Sequence, residues 1–168
     1  VGYPEDMEKF RKLIDTSMKE LINQQTLGPI AIELKNIIQR RTRLGSGVEQ
    51  TGAPKTPLAE LASSTKKGRA RKKELGLLSD KTSPNKSNLT ETGQMLNSLR
   101  GYARKKADAG TIDIQPTGDR NKKLAAIHTL GNPELPKRRF LDLSLQDIKQ
   151  LTAVLQDKFS EILDRVFK

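Results

Sequence analysis

Tyr102-Ala103-Arg104-Lys105-Lys106-Ala107-Asp108-Ala109-Gly110-Thr111-Ile112-Asp113-Ile114-Gln115 is the stretch on which the fold class turns. Ile112 and Ile114 alternate with Asp113 and Gln115, the two-residue period of a strand with one wet face. Residues 102–107 read as a partner strand, and Asp108-Ala109-Gly110 between them is a tight-turn signal. An antiparallel hairpin is therefore expected among segments that otherwise read as helical.

Working outward, Leu89-Thr90-Glu91-Thr92-Gly93-Gln94-Met95-Leu96-Asn97-Ser98-Leu99-Arg100 precedes the hairpin. Thr90 or Thr92 can cap a short helix that presents Met95, Leu96 and Leu99 on one side. After the hairpin, Leu124-Ala125-Ala126-Ile127-His128-Thr129-Leu130-Gly131 forms a short apolar element, and Pro133 and Pro136 force an extended stretch toward Arg139, Phe140 and Leu141. Ser144 and Asp147 make a capping box with Asp in place of Glu. From there Ile148, Leu151, Leu155, Phe159, Ile162 and Val166 hold one stripe on a closing helix of about six turns. Full burial of such side chains contributes roughly 1.5–3 kcal/mol each.

At the other end, Tyr3-Pro4-Glu5-Asp6 places acidic residues where a helix start favours them. Phe10, Leu13, Ile14, Met18, Leu21 and Ile22 then trace a helix of about five turns. The pattern breaks at 23–29. Pro29 suits the first turn of a second helix, whose face is Ile30, Leu34, Ile37 and Ile38. Arg40, Arg41 and Arg43 at its far end complement the dipole.

Residues 45–88 have no sustained apolar period. Eight glycines and prolines punctuate them, and the expectation is an extended basic loop or arm within a single domain spanning 1–168. Leu58, Leu61, Leu75, Leu77 and Leu78 are possible local anchors, with short helices at 58–64 or 69–78. The segment holds Lys66, Lys67, Arg69, Arg71, Lys72 and Lys73, six cations in eight residues. Three readings stay open for that run: a solvated loop, a dock for an acidic neighbour subunit, or a contact with nucleic-acid phosphates.

The formal charge of +11 sits in the middle of the chain. Residues 40–90 carry 12 basic and 4 acidic side chains, a net of +8, and residues 91–139 a net of +5. Residues 1–39 and 140–168 are each at −1. Such a field attracts a polyanion, either nucleic acid or an acidic protein surface. Aromatic residues make up 4%, with none between residues 11 and 101, which disfavours base-stacking platforms. Hydrophobic residues are 34% of the chain, so a modest core is expected, with other segments ordered by contact with partners.

Catalytic chemistry finds little to stand on. There is no cysteine and a single histidine, which removes thiolate nucleophiles and the Cys- or His-rich zinc sites. His128 lies in an apolar run with no nearby carboxylate and is read as a packed or hydrogen-bonding side chain, ahead of a partner contact or a catalytic role. Neither phosphate-binding glycine fingerprint is present, and no apolar run reaches the ~18 residues of a membrane helix. The opening VGYPEDMEKF lacks the pattern of a signal peptide. The expectation is no enzyme, no cofactor, no metal and no membrane.

Three segments keep a recognisable serial order. Leu89 to Leu99 follows an L-T-x-T-G-x-L-x-x-S-L pattern; Ala125 to Gly131 is similar to Y-A-A-I-H-Q-F-G; Pro136 to Leu143 is similar to P-A-R-P-F-L-G-L. With the paired N-terminal helices, the chain resembles the bacteriophage virion-morphogenesis family of small tail-completion or head–tail joining proteins. Leu124, Leu130 and Arg139 stand where the family has Tyr, Phe and Pro.

The resemblance implies an α+β fold, a small curved antiparallel sheet packed by two N-terminal helices and one long C-terminal helix. It implies a structural subunit of a homo-oligomeric ring, hexameric or dodecameric, at the neck or proximal tail of a virion assembled in the host cytoplasm. The partners implied are neighbouring neck, portal-side adaptor or tail-tube proteins, with non-specific contact to packaged DNA possible. Thr92, Gly93 and Leu96, with Leu89, Thr90, Ser98 and Leu99, would shape the turn and short helix before the sheet. His128 and Gly131, beside Ala126, would close the sheet edge, and Arg139 with Phe140 and Leu141 would anchor the last helix. Residues 45–88 would then reach across a neighbouring subunit or the adjoining ring. The competing class is an accessory protein that binds nucleic acid through its phosphates.

Overall fold

A computed structural model describes residues 3–78, 89, 94–106, 109–131 and 136–166, with backbone alone for residues 3–6 and 106. Helix and strand are mixed as an α+β fold, with two small antiparallel two-stranded sheets among the described residues. Helix α1 spans Tyr3–Leu21 and α2 Gln24–Arg43. Asn23 separates them and caps α2, its Oδ1 accepting the Thr26 N–H at 2.8 Å. Because the cap lies that early, Pro29 falls inside α2 rather than in its first turn. Its ring is exposed, so solvent reaches the backbone carbonyl that loses a partner there.

The hairpin consists of β3, Leu99–Lys106, and β4, Ala109–Pro116, in a register running from Leu99↔Pro116 to Lys106↔Ala109. Ala109 and Gly110 therefore belong to the strand and not to the turn; residues 107 and 108 lie outside the described residues. Leu99 starts β3 instead of ending the short helix α4, Gln94–Asn97. Ser98 closes that helix, its hydroxyl donating to the Met95 carbonyl at 2.8 Å. Ile112 and Ile114 are half-buried, and Asp113 and Gln115 exposed, as the alternation requires.

Helix α2 lies across this hairpin. Its closest approach is at Gly101, where any Cβ would come within 2.5 Å of the Ala31 carbonyl oxygen. Only glycine lets the helix backbone sit so near the strand. Leu34 and Ile38 from α2 meet Met95, Leu96, Leu99, Ala125 and Phe140 in one buried cluster. Leu89, Ile112, Ile114, Leu141, Leu143 and Leu151 pack around it.

Residues 124–131 are not a strand-edge element. They form the end of a helix, α5, Asp119–Leu130, which Gly131 terminates with a φ of 72°. One buried contact, Ala125, attaches α5 to the core, while Leu124, Ala126, Ile127 and Leu130 are exposed. The last helix, α6, spans Leu145–Val166 and opens on the expected box. The Ser144 N–H donates to Asp147 Oδ2 at 2.9 Å, and the Asp147 N–H to Ser144 Oγ at 3.1 Å.

Candidate interaction surface

The segment expected to be an extended arm is folded on its own chain as far as residue 78. Strands β1, Ser46–Gly47, and β2, Thr56–Pro57, pair into a short ribbon. Val48 donates its N–H to the Arg139 carbonyl at 3.0 Å and Gly52 to the Leu143 carbonyl at 2.8 Å. The Leu145 N–H returns a bond to the Ala53 carbonyl at 3.0 Å. Val48, Leu58 and Leu78 are buried, so three apolar anchors and a row of backbone bonds do what a neighbour was expected to do. Leu61 is half-buried, and Leu75 and Leu77 are exposed. Residues 79–88 lie outside the described residues.

The basic run is helical. Helix α3 covers Ser63–Glu74, and Arg71, Lys72 and Lys73 occupy its last turn, where the dipole favours cations. Arg69 alone of the six is buried, at 5% exposure. Lys66 is half-buried and reaches Glu60 at 3.0 Å. Lys67, Arg71, Lys72 and Lys73 are exposed. What divides them is helical register: residues 66, 69 and 70 share the inward face, and 67, 68, 71 and 72 point away.

Arg138 pins the approach to α3. Its Nε donates to the Ala59 carbonyl at 3.1 Å and its Nη2 to the Glu60 carbonyl at 2.9 Å. Its own backbone N–H bonds to the His128 carbonyl at 2.6 Å. Burial, and then the neighbouring Arg69 charge, lower the pKa of Arg138 from its ordinary value. Burial, followed by the Arg138 charge, likewise lowers that of His128, which favours the neutral imidazole. The buried His128 Nδ1 has no hydrogen-bond partner among the described residues. Both His128 and Gly131 thus sit at the end of α5, where the His128 carbonyl tethers the 138 segment, and neither closes a sheet edge.

A second polar node was hidden in the sequence. Arg41, read there as a dipole partner at the end of α2, is buried with Asp147. Its guanidinium pairs with Asp147 Oδ2 and donates to the Phe140 carbonyl. Lys55 Nζ stands 3.7 Å from the other carboxylate oxygen. Burial alone would raise the Asp147 pKa; hydrogen bonds from the Ser144 amide and hydroxyl, with the Arg41 charge, outweigh it and hold the carboxyl below its ordinary range. The available signal was periodicity, because Leu34, Ile38 and Arg41 continue one face of α2.

The three motif segments converge. Leu96 and Leu99 of the first, Ala125 of the second and Phe140 of the third share the buried cluster. Leu89 packs beside it with φ at +51°, a left-handed conformation unusual for a Leu. The Ser98 carbonyl accepts both the Thr117 N–H and its hydroxyl, each at 3.0 Å. Leu141 is half-buried, and Ala126 is exposed. Arg139 is exposed too, and its guanidinium donates to the Glu49 carbonyl; it fastens the ribbon rather than the last helix. Thr90, Thr92 and Gly93 lie outside the described residues.

Helices α1 and α6 pack against each other, and their apolar residues are only partly covered. Ile162 is the one fully buried member of the α6 stripe; Ile148, Leu151, Leu155, Phe159 and Val166 are half-buried. Of the described side chains of α1, Ser17 alone is buried, and Met7, Phe10 and Met18 are exposed. Between the ribbon and Lys137, Arg138 and Arg139 lies an open hollow of about 590 Å³. Among the described residues no group of three His, Cys, Asp or Glu side chains is placed to hold a metal, and no helix is long and apolar enough to cross a membrane.

No protein-family model, curated protein or solved structure matches the chain.

Proposed function

We propose that the protein is a structural ring subunit at the neck or proximal tail of a tailed bacteriophage, joining tail to head in a tail-completion or terminator role. The observation that carries this reading is the partly covered apolar face of α1 and α6. Five half-buried side chains of the α6 stripe that could each contribute roughly 1.5–3 kcal/mol if fully buried realise only part of that in a single chain. The remainder is available to a neighbour. A contact in which this face meets a different face of the next copy repeats around a closed ring. The resemblance in three serial motifs supports the same reading, since their residues meet in one core and hold the fold rather than compose a reaction centre.

Light scattering after size-exclusion chromatography tests the proposal, with the chain alone and mixed with partner proteins from the same particle. Closed rings of six or twelve copies are expected. Met7→Asp with Met18→Asp should return the protein to monomers, with a urea midpoint close to that of the parent because both side chains are exposed already. A parent chain that stays monomeric in every mixture overturns the reading.

A further inference from the structure

We infer that the outward face of α3 is a seat for the sugar–phosphate backbone of duplex nucleic acid. The chain's own packing accounts for the inner side of this helix but not for its outer side. Ala70 is the one apolar residue between Ser63 and Glu74, so α3 has no stripe to bury and is held inward through Arg69. Lys67 and Arg71 stand four residues apart on the outward side, as like charges that repel along a helix. Gly68, between them, is outward as well, and a Cβ there would meet nothing within 4 Å. A mid-helix glycine weakens the helix, and here no close approach within the chain requires one.

These local costs are offset together if a polyanion lies along the face. Lys67, Arg71 and Lys73 form no ion pair among the described residues, whereas Lys66, on the inner side, does. A phosphate strand would relieve the repulsion, and the bare backbone at Gly68 would let it come close. Lys137 and Arg139 extend the field, since Arg138 between them grips the carbonyls that lead into α3.

The alternative partner, an acidic protein, fits less well. Protein interfaces centre on apolar and aromatic anchors, and from Lys67 to Lys73 the outward face offers none. Phosphates need only charge. Contacts of this type carry no sequence information, and the same lack of anchors excludes base stacking.

The test is fluorescence anisotropy of a labelled mixed-sequence duplex of about 30 bp with the full chain, repeated from about 50 to 200 mM salt. With four phosphates neutralised, log affinity should fall against log salt with a slope of about −3 to −4, and scrambling the sequence should change nothing. Lys67→Glu with Arg71→Glu should weaken binding more than about tenfold and flatten the slope by about two. Lys67→Gln with Arg71→Gln should move both readings in the same direction without reversing charge. Lys122→Glu with Lys123→Glu on α5, both exposed, makes an equal change in net charge and should leave the slope unchanged. Absence of binding at low salt overturns the inference, as does an equal loss in the α5 variant. Tighter binding to polyglutamate than to duplex at matched charge also overturns it and assigns the face to an acidic protein. The assay reads α3 in whatever oligomeric state the protein adopts, so failure of the ring proposal and failure of this one are separable.

Discussion

Asp147 joins three parts of the chain that are distant in sequence. It caps α6, neutralises Arg41 from α2 and faces Lys55 from the ribbon. Removing its charge leaves a buried guanidinium without a counter-ion, so Asp147→Ala should cost about 3–5 kcal/mol in urea unfolding. Arg41→Met with Asp147→Leu should cost less than either single change, because no orphan charge remains. The pH dependence has a definite sign. A carboxyl held below its ordinary value of 3.8 adds stability above that pH and loses it as the pH falls through its lower folded value. The stability gap between the parent and Asp147→Ala should therefore be full near neutrality and shrink in acid. A gap that stays constant down to about pH 2 would remove the ion pair from the account of stability.

At the level of elements, α3 and α6 are opposites. The capping box and stripe of α6 made it legible before any coordinates, and so did the hairpin, through the period of Ile112 and Ile114. Helix α3 was legible only in part: a short helix at 69–78 was among the expectations, but the sequence lacks the apolar repeat that would have marked its first half or set its bounds. Only basic residues placed at its end, and its anchorage through Arg69, explain why it forms. Gly68→Ala should accordingly stabilise α3 by up to about 1 kcal/mol, seen as a gain in helical circular dichroism and a higher melting temperature. For α5, residues 124–131 read as a short apolar element whose His128 and Gly131 would close the sheet edge. They end a helix instead; Leu124, Ile127 and Leu130 are exposed on it, and Ala125 is its buried contact with the core.

For the whole molecule, composition indicated a core too small for the chain, and the structure divides that statement in two. The ribbon and the approach to α3, residues 48–60, find their partners at residues 138–145 of the same chain. The shortage of cover lies instead on α1 and α6. The site was legible only in part for the same reason: charge locates the cations of α3, but register alone tells which of them face out. If the α1–α6 face is an intersubunit surface, Phe159→Ala should weaken assembly by a larger factor than it lowers monomer stability. Dilution series by light scattering, set beside urea unfolding, compare the two.

The bonds from Val48 to Arg139, from Gly52 to Leu143 and from Leu145 to Ala53 each span about ninety residues. A ribosome making this chain must therefore deliver it as far as Leu145 before the ribbon can be fully seated, and loops that long close slowly. Until Leu145 emerges, the nascent cationic middle has no berth of its own, and a translation product truncated before that residue would be prey for proteases.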